Sequence, residues 1–200
     1  MSNGLKFTLV LFAALVSSVN AQVNQTINIG DTVSVLPNTI FSVKGNLWNS
    51  SNGKFFHSGQ MYVTDSLMNN AGNRMFMNAL PGTVHLTGGN QIMGGSETIY
   101  FYNLNLRGTG IKTMNQHEVV LNRLDLDKHE LATLSNRMFV LNPAENAIVR
   151  LDSGIVSSEL NGWLYRRTAP DSLYLFPVGS SNGTWRYRPV EIRTTTTSGQ

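Results

Sequence analysis

The stretch HEVVLNRLDLDKHEL (residues 117–131) can be interpreted as a helix or as strands, and the choice decides the fold. As a helix it is charged and amphipathic, and His117-Glu118 suggests the zinc-protease pattern. That pattern needs a second histidine four residues after the first, and position 121 is leucine. A helix would also spread its valines and leucines over too much of its surface. We therefore interpret the stretch as strand, turn, strand.

A sequence repeat of constant period supports strands. Apolar-polar-apolar triplets begin at Val84, Leu104 and Leu124, which are equally spaced along the chain. A second set keeps the same spacing and begins at Ile99, Val119 and Phe139, and a looser third set is Ile92, Ile111 and Leu131. Glycine and asparagine turns separate the triplets. Three short strands per coil predict an all-β chain built as a right-handed parallel β-solenoid with coils of about 20 residues.

Three segments are predicted along the chain. Residues 1–21 have one lysine, a short apolar run and small residues before a cleavage site, and they are predicted to be a secretory signal peptide. Residues 22–157 are the solenoid. Residues 158–200 are rich in aromatics and arginines and are predicted to begin a second, sandwich-like β domain, with Ser180-Ser181-Asn182-Gly183 as a hairpin turn. The last strand has no evident partner, which suggests a truncated domain.

Composition limits the function classes. The chain has no cysteine, so a disulfide scaffold is excluded. The formal net charge of +3 is small and dispersed, and it predicts no nucleic-acid partner. After the signal peptide no apolar run is long enough to predict a transmembrane segment.

Two constellations are candidates for chemistry. Asp125, Asp127 and His129 alternate with leucines and could present oxygen ligands to Ca²⁺, but the polar outer face of a coil explains them better. A carbohydrate-active enzyme needs paired carboxylates. The period places Glu118 near Arg137 or Thr98, and it brings no two acids into register. The sequence therefore predicts no catalytic residue, no metal ligand and no cofactor.

The aromatic block near the C-terminus has two interpretations. Trp163, Trp185 and Tyr187, with nearby arginines, could stack on sugars. Alternatively the aromatics form the core face of a half-exposed sheet and the arginines form its outer face. The alternation of Trp185 and Tyr187 with Arg186 and Arg188 favours the second interpretation.

The chain resembles the repeat regions of large Bacteroidota cell-surface proteins over roughly residues 84–192. The resemblance is carried by IYFYNLNLRGTG, VVLNRLDLDKHELATL and MFVLNP, and by Phe176-Pro177-Val178-Gly179 followed by Tyr187-Arg188-Pro189-Val190. It implies export by the type IX system, a location at the cell surface or outside the cell, and association with gliding motility. It implies no catalytic residues, and no C-terminal sorting domain is visible here.

The resemblance also implies partners and modification. The export machinery, surface polysaccharide and other cell-surface proteins are the expected partners. Some of these bacteria O-glycosylate Asp-(Ser/Thr)-apolar sites, which places candidate acceptors at Thr32, Ser66 and Ser172. We expect a non-catalytic structural or adhesive module that acts as a rigid spacer. The alternatives are a carbohydrate-binding module that uses Trp163, Trp185 and Tyr187, and a β-helix lyase or glycosidase.

Overall fold

The structure, a computed structural model, describes residues 25–73, 75–76 and 80–195. The predicted signal peptide at 1–21 lies outside the described residues. Within these ranges no helix has the length and the apolar character needed to cross a bilayer.

The predicted fold class is confirmed: the chain is an all-β solenoid of about six turns, with about 21 residues per turn. One short 3-10 turn, Glu145–Ala147, interrupts the strands. In chain order the strands are β1 Gln25–Ile29, β2 Thr32–Val35, β3 Ile40–Val43, β4 Asn46–Ser50, β5 Lys54–His57, β6 Gln60–Val63, β7 Leu67–Asn70, β8 Thr83–Leu86, β9 Gln91–Gly95, β10 Tyr100–Leu106, β11 Lys112–Met114, β12 Glu118–Asp125, β13 Glu130–Ala132, β14 Arg137–Val140, β15 Ile148–Val149, β16 Ile155–Ser157, β17 Trp163–Arg166, β18 Leu173–Phe176, β19 Gly179–Ser180, β20 Arg186–Tyr187 and β21 Val190–Arg193.

Parallel sheets form the walls of the solenoid. One has seven strands in the order β1-β4-β7-β9-β11-β13-β16. The other has eight, in the order β17-β14-β12-β10-β8-β6-β3, with β15 beside β12. A short third sheet pairs β2 with β5, and a bridge from Phe55 to Phe76 extends it by one coil. Every neighbour in the two long sheets comes from an adjacent coil, so each coil covers the apolar edge of the one before it.

The observed strand pairing confirms the first repeat set. In the second set it agrees for one pair of residues and differs by one residue for another. Val84, Leu104 and Leu124 pair directly across β8, β10 and β12. In the second set Val119 pairs with Phe139, as the period predicts. Phe101, however, pairs with Val120 and not with Leu121, because the register shifts between Phe101 and Asn103.

The third repeat set was wrong. Ile92 pairs with Thr113 and projects outwards, whereas Leu131 pairs with Lys112, so Ile92, Ile111 and Leu131 are not equivalent. The inward positions of β9 and β11 include Gln91 and Lys112, which are 2% and 0% exposed. Because these two interior positions are polar, apolar periodicity could not locate this column.

The core is a continuous column of aliphatic and aromatic side chains. The members that are fully buried at each level include Leu47, Met61, Leu67, Leu86, Met93, Phe101, Leu104, Met114, Leu124, Leu131, Met138 and Val140. Burial of each large apolar side chain contributes about 1.5–3 kcal/mol. Stability is therefore distributed along the whole solenoid.

A ladder of buried asparagines accompanies the apolar column at its N-terminal end. Asn28, Asn49 and Asn69 occupy equivalent positions on β1, β4 and β7. Asn28 Nδ2 donates to Asn49 Oδ1 at 3.0 Å, and Asn49 Nδ2 donates to Asn69 Oδ1 at 3.2 Å. The ladder also closes the local turns, since Asn49 and Asn69 donate to the carbonyls of Gly53 and Asn73 at 2.8 and 2.7 Å. Each of these two amides thus joins its own turn to a neighbouring coil.

From inside the solenoid, the Gln91 side chain forms hydrogen bonds with backbone carbonyl groups of the preceding coil. Its Nε2 donates to the carbonyl oxygens of Val63 and Asp65 at 3.0 and 2.7 Å, and its Oε1 accepts from the Gly88 amide at 2.8 Å. Buried backbone groups need such partners, because each one left unpaired costs about 1–3 kcal/mol.

One coil later, the Lys112 side chain also forms hydrogen bonds with carbonyl groups of turns. Its Nζ donates to the carbonyl oxygens of Gly88, Gly89 and Thr109 at 2.9, 2.7 and 2.9 Å. Three acceptors match the three hydrogens of an ammonium group. Burial lowers the pKa of Lys112 to about 8, which still leaves the group protonated at neutral pH.

The parallel pairing extends past the predicted domain boundary at 157/158. Trp163–Arg166 is strand β17, and it pairs in parallel with β14, so the solenoid continues to Arg166. The antiparallel unit begins only with β18, which pairs with β21, while β19 pairs with β20. The predicted hairpin is present, but it is divided into two short ladders near Pro177 and Pro189, because proline has no N–H to donate.

Arg166 and Tyr174 join the antiparallel unit to the solenoid. Arg166 Nη1 donates to the Leu175 carbonyl at 2.9 Å, and Nη2 donates to the carbonyls of Ala144 and Glu145 at 3.0 and 2.9 Å. The guanidinium lies 4.5 Å from the centroid of the fully buried Tyr174 ring. One buried cation therefore contacts both the last coil and the unit that covers it.

Candidate functional site: the outer face of the eight-stranded sheet

A row of polar side chains runs along the outer face of the eight-stranded sheet. Tyr62, His85, Asn105 and Asp125 pair in register on β6, β8, β10 and β12, so they project outwards at successive coils. The Tyr62 and His85 rings stack with centroids 4.4 Å apart and an interplanar angle of 5°. Strand spacing sets the repeat of this row at about 4.8 Å.

A second, hydrogen-bonded row lies beside the first. Asn142 Nδ2 donates to Asn122 Oδ1 at 3.0 Å, and Asn122 Nδ2 donates to Asn103 Oδ1 at 2.7 Å. Asn103 Nδ2 in turn donates to Thr83 Oγ1 at 3.2 Å. We call Thr83, Asn103, Asn122 and Asn142 the outer amide ladder. In contrast to the buried ladder, these side chains are only half-buried.

The outer amide ladder retains hydrogen-bonding capacity. A side-chain amide has two N–H donors and two acceptor lone pairs. Within the ladder Asn122 uses one donor and one acceptor, and the same is true of Asn103. Each of them keeps one donor and one acceptor for a molecule that lies on the surface.

The ladder lies where the sheet changes register. The pairing of β10 with β12 shifts between Phe101 and Asn103, and Asn103 and Asn122 lie at this break. A hollow of about 450 Å³ is lined here by polar side chains: Thr83, Asn103, Asn105, Asn122, Arg123 and Asp125. Its size falls within the range of ligand sites, about 300–1,000 Å³.

A charged cluster adjoins this hollow. Arg107 Nη2 lies 2.8 Å from Asp125 Oδ2, and Arg123 Nη2 lies 3.9 Å from the same oxygen. Burial acts to raise the pKa of Asp125, but hydrogen bonds from Arg107 and from the Asp127 amide outweigh it, so the pKa is lowered. The carboxylate is therefore ionised and neutralised within the protein, while Arg123 stays half-exposed at the edge of a second hollow of about 230 Å³.

The candidate calcium ligands do not converge. Asp125 binds Arg107, whereas His129 is 9% exposed and its Nε2 lies 2.9 Å from the Gly108 carbonyl oxygen. His129 thus satisfies a turn of the preceding coil, as Gln91 and Lys112 do. Among residues 25–73, 75–76 and 80–195 no group of three acidic or histidine side chains is arranged to hold a metal ion.

Glu118 has neighbours one residue away from the two that were predicted. It pairs with Met138, one residue away from the expected Arg137, and its Oε2 accepts from the Ile99 amide, not from Thr98, at 2.6 Å. Its Oε1 is buried without a hydrogen-bond partner in the described structure. Burial raises the pKa of Glu118 well above its usual value, which favours a neutral structural side chain.

Trp163 belongs to a stack of three rings, of which Phe139 is half-buried. The Trp163 and Tyr165 rings lie 5.7 Å apart, and Tyr165 lies 5.0 Å from Phe139, both at interplanar angles of 10°. Trp163 and Tyr165 are 53% and 41% exposed, and the Arg137 guanidinium lies 5.9 Å from the Trp163 ring. We call Phe139, Tyr165 and Trp163 the aromatic platform.

Trp185 and Tyr187 form a separate pair. Their rings lie 6.2 Å apart, and the Arg150 guanidinium lies 4.2 Å from the centroid of Tyr187. Trp185 is 50% exposed. The three predicted sugar-stacking residues thus fall into two groups: Trp163 stacks on Tyr165, and Trp185 stacks on Tyr187.

The favoured interpretation of the aromatic block does not describe strand β17. On β17 the aromatics face outwards and Arg166 faces inwards, because the strand continues the solenoid, whose interior takes Leu164 and Arg166. In the antiparallel unit Tyr174 is fully buried, and Tyr187 is half-buried between the exposed Arg186 and Arg188, as the interpretation expects.

The candidate O-glycosylation acceptors lie on different elements. Thr32 is exposed at the start of β2, whereas Ser66 and Ser172 are half-buried. The Ser172 hydroxyl donates to the Pro170 carbonyl at 3.3 Å. Thr32 is the most accessible of the three acceptors.

Sequence reasoning missed the outer amide ladder, although a signal was present. Asn103, Asn122 and Asn142 recur at nearly the same spacing as the apolar triplets. A polar residue that recurs with the coil period marks a surface row.

Comparisons of the chain with protein-family models, curated proteins and solved structures give no match. The geometry of the surface is therefore what bears on function.

Proposed function

We propose that the chain is a non-catalytic, exported cell-surface module whose solenoid acts as a rigid spacer or display stalk. The observation that carries the proposal is the continuous pairing of two long sheets through about six coils. Interior hydrogen bonds support it, because they tie the turns of one coil to side chains of the next. In such a stack length grows with coil number while the cross-section stays constant.

Coil insertion tests the spacer role. Asn105 pairs with Asp125, so residues 105–124 form one coil unit that can be duplicated in the full chain. Two extra copies should lengthen the particle by about 10 Å, at roughly 4.8 Å per coil. Small-angle X-ray scattering measures this change, and copies with scrambled order provide the control. An unchanged or broadly distributed maximum dimension for the true copies contradicts a rigid stack.

Export to the surface of a Bacteroidota cell is part of the same proposal. The Phe-Pro-Val-Gly and Tyr-Arg-Pro-Val motifs support it, and Gly179 of the first pairs with Tyr187 of the second. Protease treatment of intact host cells should degrade the protein, and deletion of the type IX machinery should retain it inside. Protection in wild-type cells argues against surface display.

Carbohydrate binding is the second candidate function. It is favoured by the aromatic platform, whose rings are nearly parallel and include the exposed Trp163 and Tyr165, and by the free hydrogen-bonding groups of the outer amide ladder. Sugars stack their apolar faces on aromatic rings and present hydroxyls to amides. A ligand that lies along the coils would meet both features.

A glycan panel tests this second function with matched tryptophan variants. Trp163→Ala and Asn122→Ala should each weaken binding of any retained polysaccharide by about tenfold, the equivalent of about 1.4 kcal/mol. Trp48→Ala is the control, because Trp48 is 39% exposed on β4 of the other long sheet. Loss of binding with Trp185→Ala alone would move the site to the second aromatic pair. Product analysis in the same experiment reports hydrolysis.

A further inference from the structure

The seven-stranded sheet carries a groove on its outer face. Its volume is about 510 Å³. It runs across the strands from Ser66, the residue before β7, to Ser157 on β16, and Ser181 and Asn182 of the antiparallel unit lie at one end. Four intervals between strands give a length of about 19 Å. An extended chain of about six residues has this length.

The floor of the groove is a row of small and aliphatic side chains. Ile92 pairs with Thr113, Thr113 with Ala132, and Ala132 with Ser157, so their side chains project to the same face. Ile92 is 44% exposed, whereas Ala132 and Ser157 are buried deeper in the groove. Contact with apolar atoms of a ligand would remove Ile92, the exposed member of this row, from water.

The charges along the groove have one sign. Glu130 and Glu159 line it, and the described residues that line it include no lysine, arginine or histidine. Glu159 is occupied, since its Oε1 accepts from the Ser180 hydroxyl at 2.8 Å and its Oε2 accepts from Asn182 Nδ2 at 3.2 Å. These contacts fix Ser180 and Asn182 of the antiparallel unit at one end of the groove.

Glu130 forms no ion pair with the residues that the structure describes. Its Oε2 is buried and has no hydrogen-bond partner in the part of the chain that the structure describes. The side chain as a whole is half-buried and lines the groove, so a cationic N–H donor that enters the groove would pair with the carboxylate. The groove thus combines an apolar floor, a length suited to an extended chain and one carboxylate in need of a cation.

We propose that this groove binds an extended peptide segment of a partner protein that presents one lysine between small apolar residues. The lysine ammonium pairs with Glu130, and the flanking side chains cover Ile92 and the floor beside it. The site goes beyond the spacer role and lies on a different sheet from the carbohydrate candidate.

The test uses the full chain labelled with ¹⁵N and a blocked hexapeptide, acetyl-Ala-Val-Lys-Val-Ala-Ser-amide. Titration should shift the backbone amides of β9, β11 and β13. A peptide with norleucine in place of lysine should bind about tenfold more weakly, since it keeps the aliphatic stem and loses the charge. A peptide with glutamate at that position should show no binding.

Variants assign the effect to the groove. Glu130→Gln should lower the affinity for the lysine peptide to that of the norleucine peptide, whereas Glu191→Gln, a change at an exposed acid on β21, should leave it unchanged. Ile92→Arg, at a solvent-exposed position, should abolish binding without affecting the fold. Equal affinity for the lysine and norleucine peptides overturns the proposal. Equally tight binding of hexylammonium also overturns it, because the site would then recognise a small cation.

Discussion

Lys112 lies directly beside Gln91 of the preceding coil, and the two side chains perform the same task with different chemistry. Both point into the solenoid and donate to carbonyl oxygens of turns. This relationship makes a charged side chain part of the core, and it allows the contribution of the charge to be separated from that of the hydrogen bonds.

Lys112→Met should lower the free energy of unfolding by about 3 kcal/mol, because it keeps the aliphatic stem and removes three hydrogen bonds, although the Gly88 carbonyl still accepts from the Thr109 amide. Lys112→Gln should cost less, because glutamine serves at position 91. Urea denaturation followed by circular dichroism measures both. Lys54→Met, at an exposed position on β5, is the control and should change little. Equal losses for Met and Gln would show that the ammonium, not hydrogen bonding alone, is required.

Glu118 should make the protein less stable as the pH rises. Burial raises its folded-state pKa, so the folded chain holds the proton more tightly than the unfolded chain. The stabilisation is complete below the unfolded pKa of about 4.3 and is lost as the pH rises through the folded pKa. Thermal melts from pH 4 to 9 should show this decline. Glu118→Gln should flatten it, and the same slope in both proteins would assign the decline to another group.

The two asparagine ladders should differ in energetic importance. Asn49 is fully buried and bonds Asn28, Asn69 and the Gly53 carbonyl, so Asn49→Ala should cost about 2–3 kcal/mol. Asn122 is half-buried and water can replace its partners, so Asn122→Ala should cost less than about 1 kcal/mol. Chemical denaturation of the two variants makes the comparison. Similar losses would contradict the assignment of the outer amide ladder to the surface.

Arg166 and its neighbour Arg167 provide a matched pair at the junction. Arg166→Met should destabilise the chain by about 3 kcal/mol, because three carbonyl contacts and the contact with Tyr174 are lost. Arg167 is exposed, and Arg167→Met should change stability by less than about 0.5 kcal/mol. Hydrogen exchange should show earlier opening of β18 and β21 in the first variant only. Unchanged exchange there would mean that Arg166 does not hold the antiparallel unit.

The fold could be predicted wherever interior positions are apolar. Val84, Leu104 and Leu124 recur at equal spacing because each must fill the same place in successive coils. The third column failed, because Gln91 and Lys112 occupy interior positions and the nearby Ile92 faces outwards. Hydrophobic periodicity cannot detect a polar side chain that is buried to satisfy a turn.

The candidate site was only partly predictable, for a related reason. Trp163 was singled out from composition, but its exposure depends on whether β17 continues the solenoid, and alternation of residue types does not decide that. The approximate surroundings of Glu118 followed from the period. The partner on the β10 side was one residue off, because the pairing of β10 with β12 shifts register between Phe101 and Asn103. On the other side Glu118 pairs with Met138, which lies one full period of 20 residues later.

The interior contacts of Gln91, Lys112 and Arg166 have a consequence for how such a chain can change by duplication. In each case a turn is completed by a side chain that the following coil supplies. A duplicated segment preserves this relation only if it carries a turn together with the donor that lies about one coil later. The heritable unit is therefore a turn and its distant donor, and crossovers that separate them would leave carbonyls unpaired at the new seam. Lineages that gain or lose length should do so in steps that keep these pairs intact.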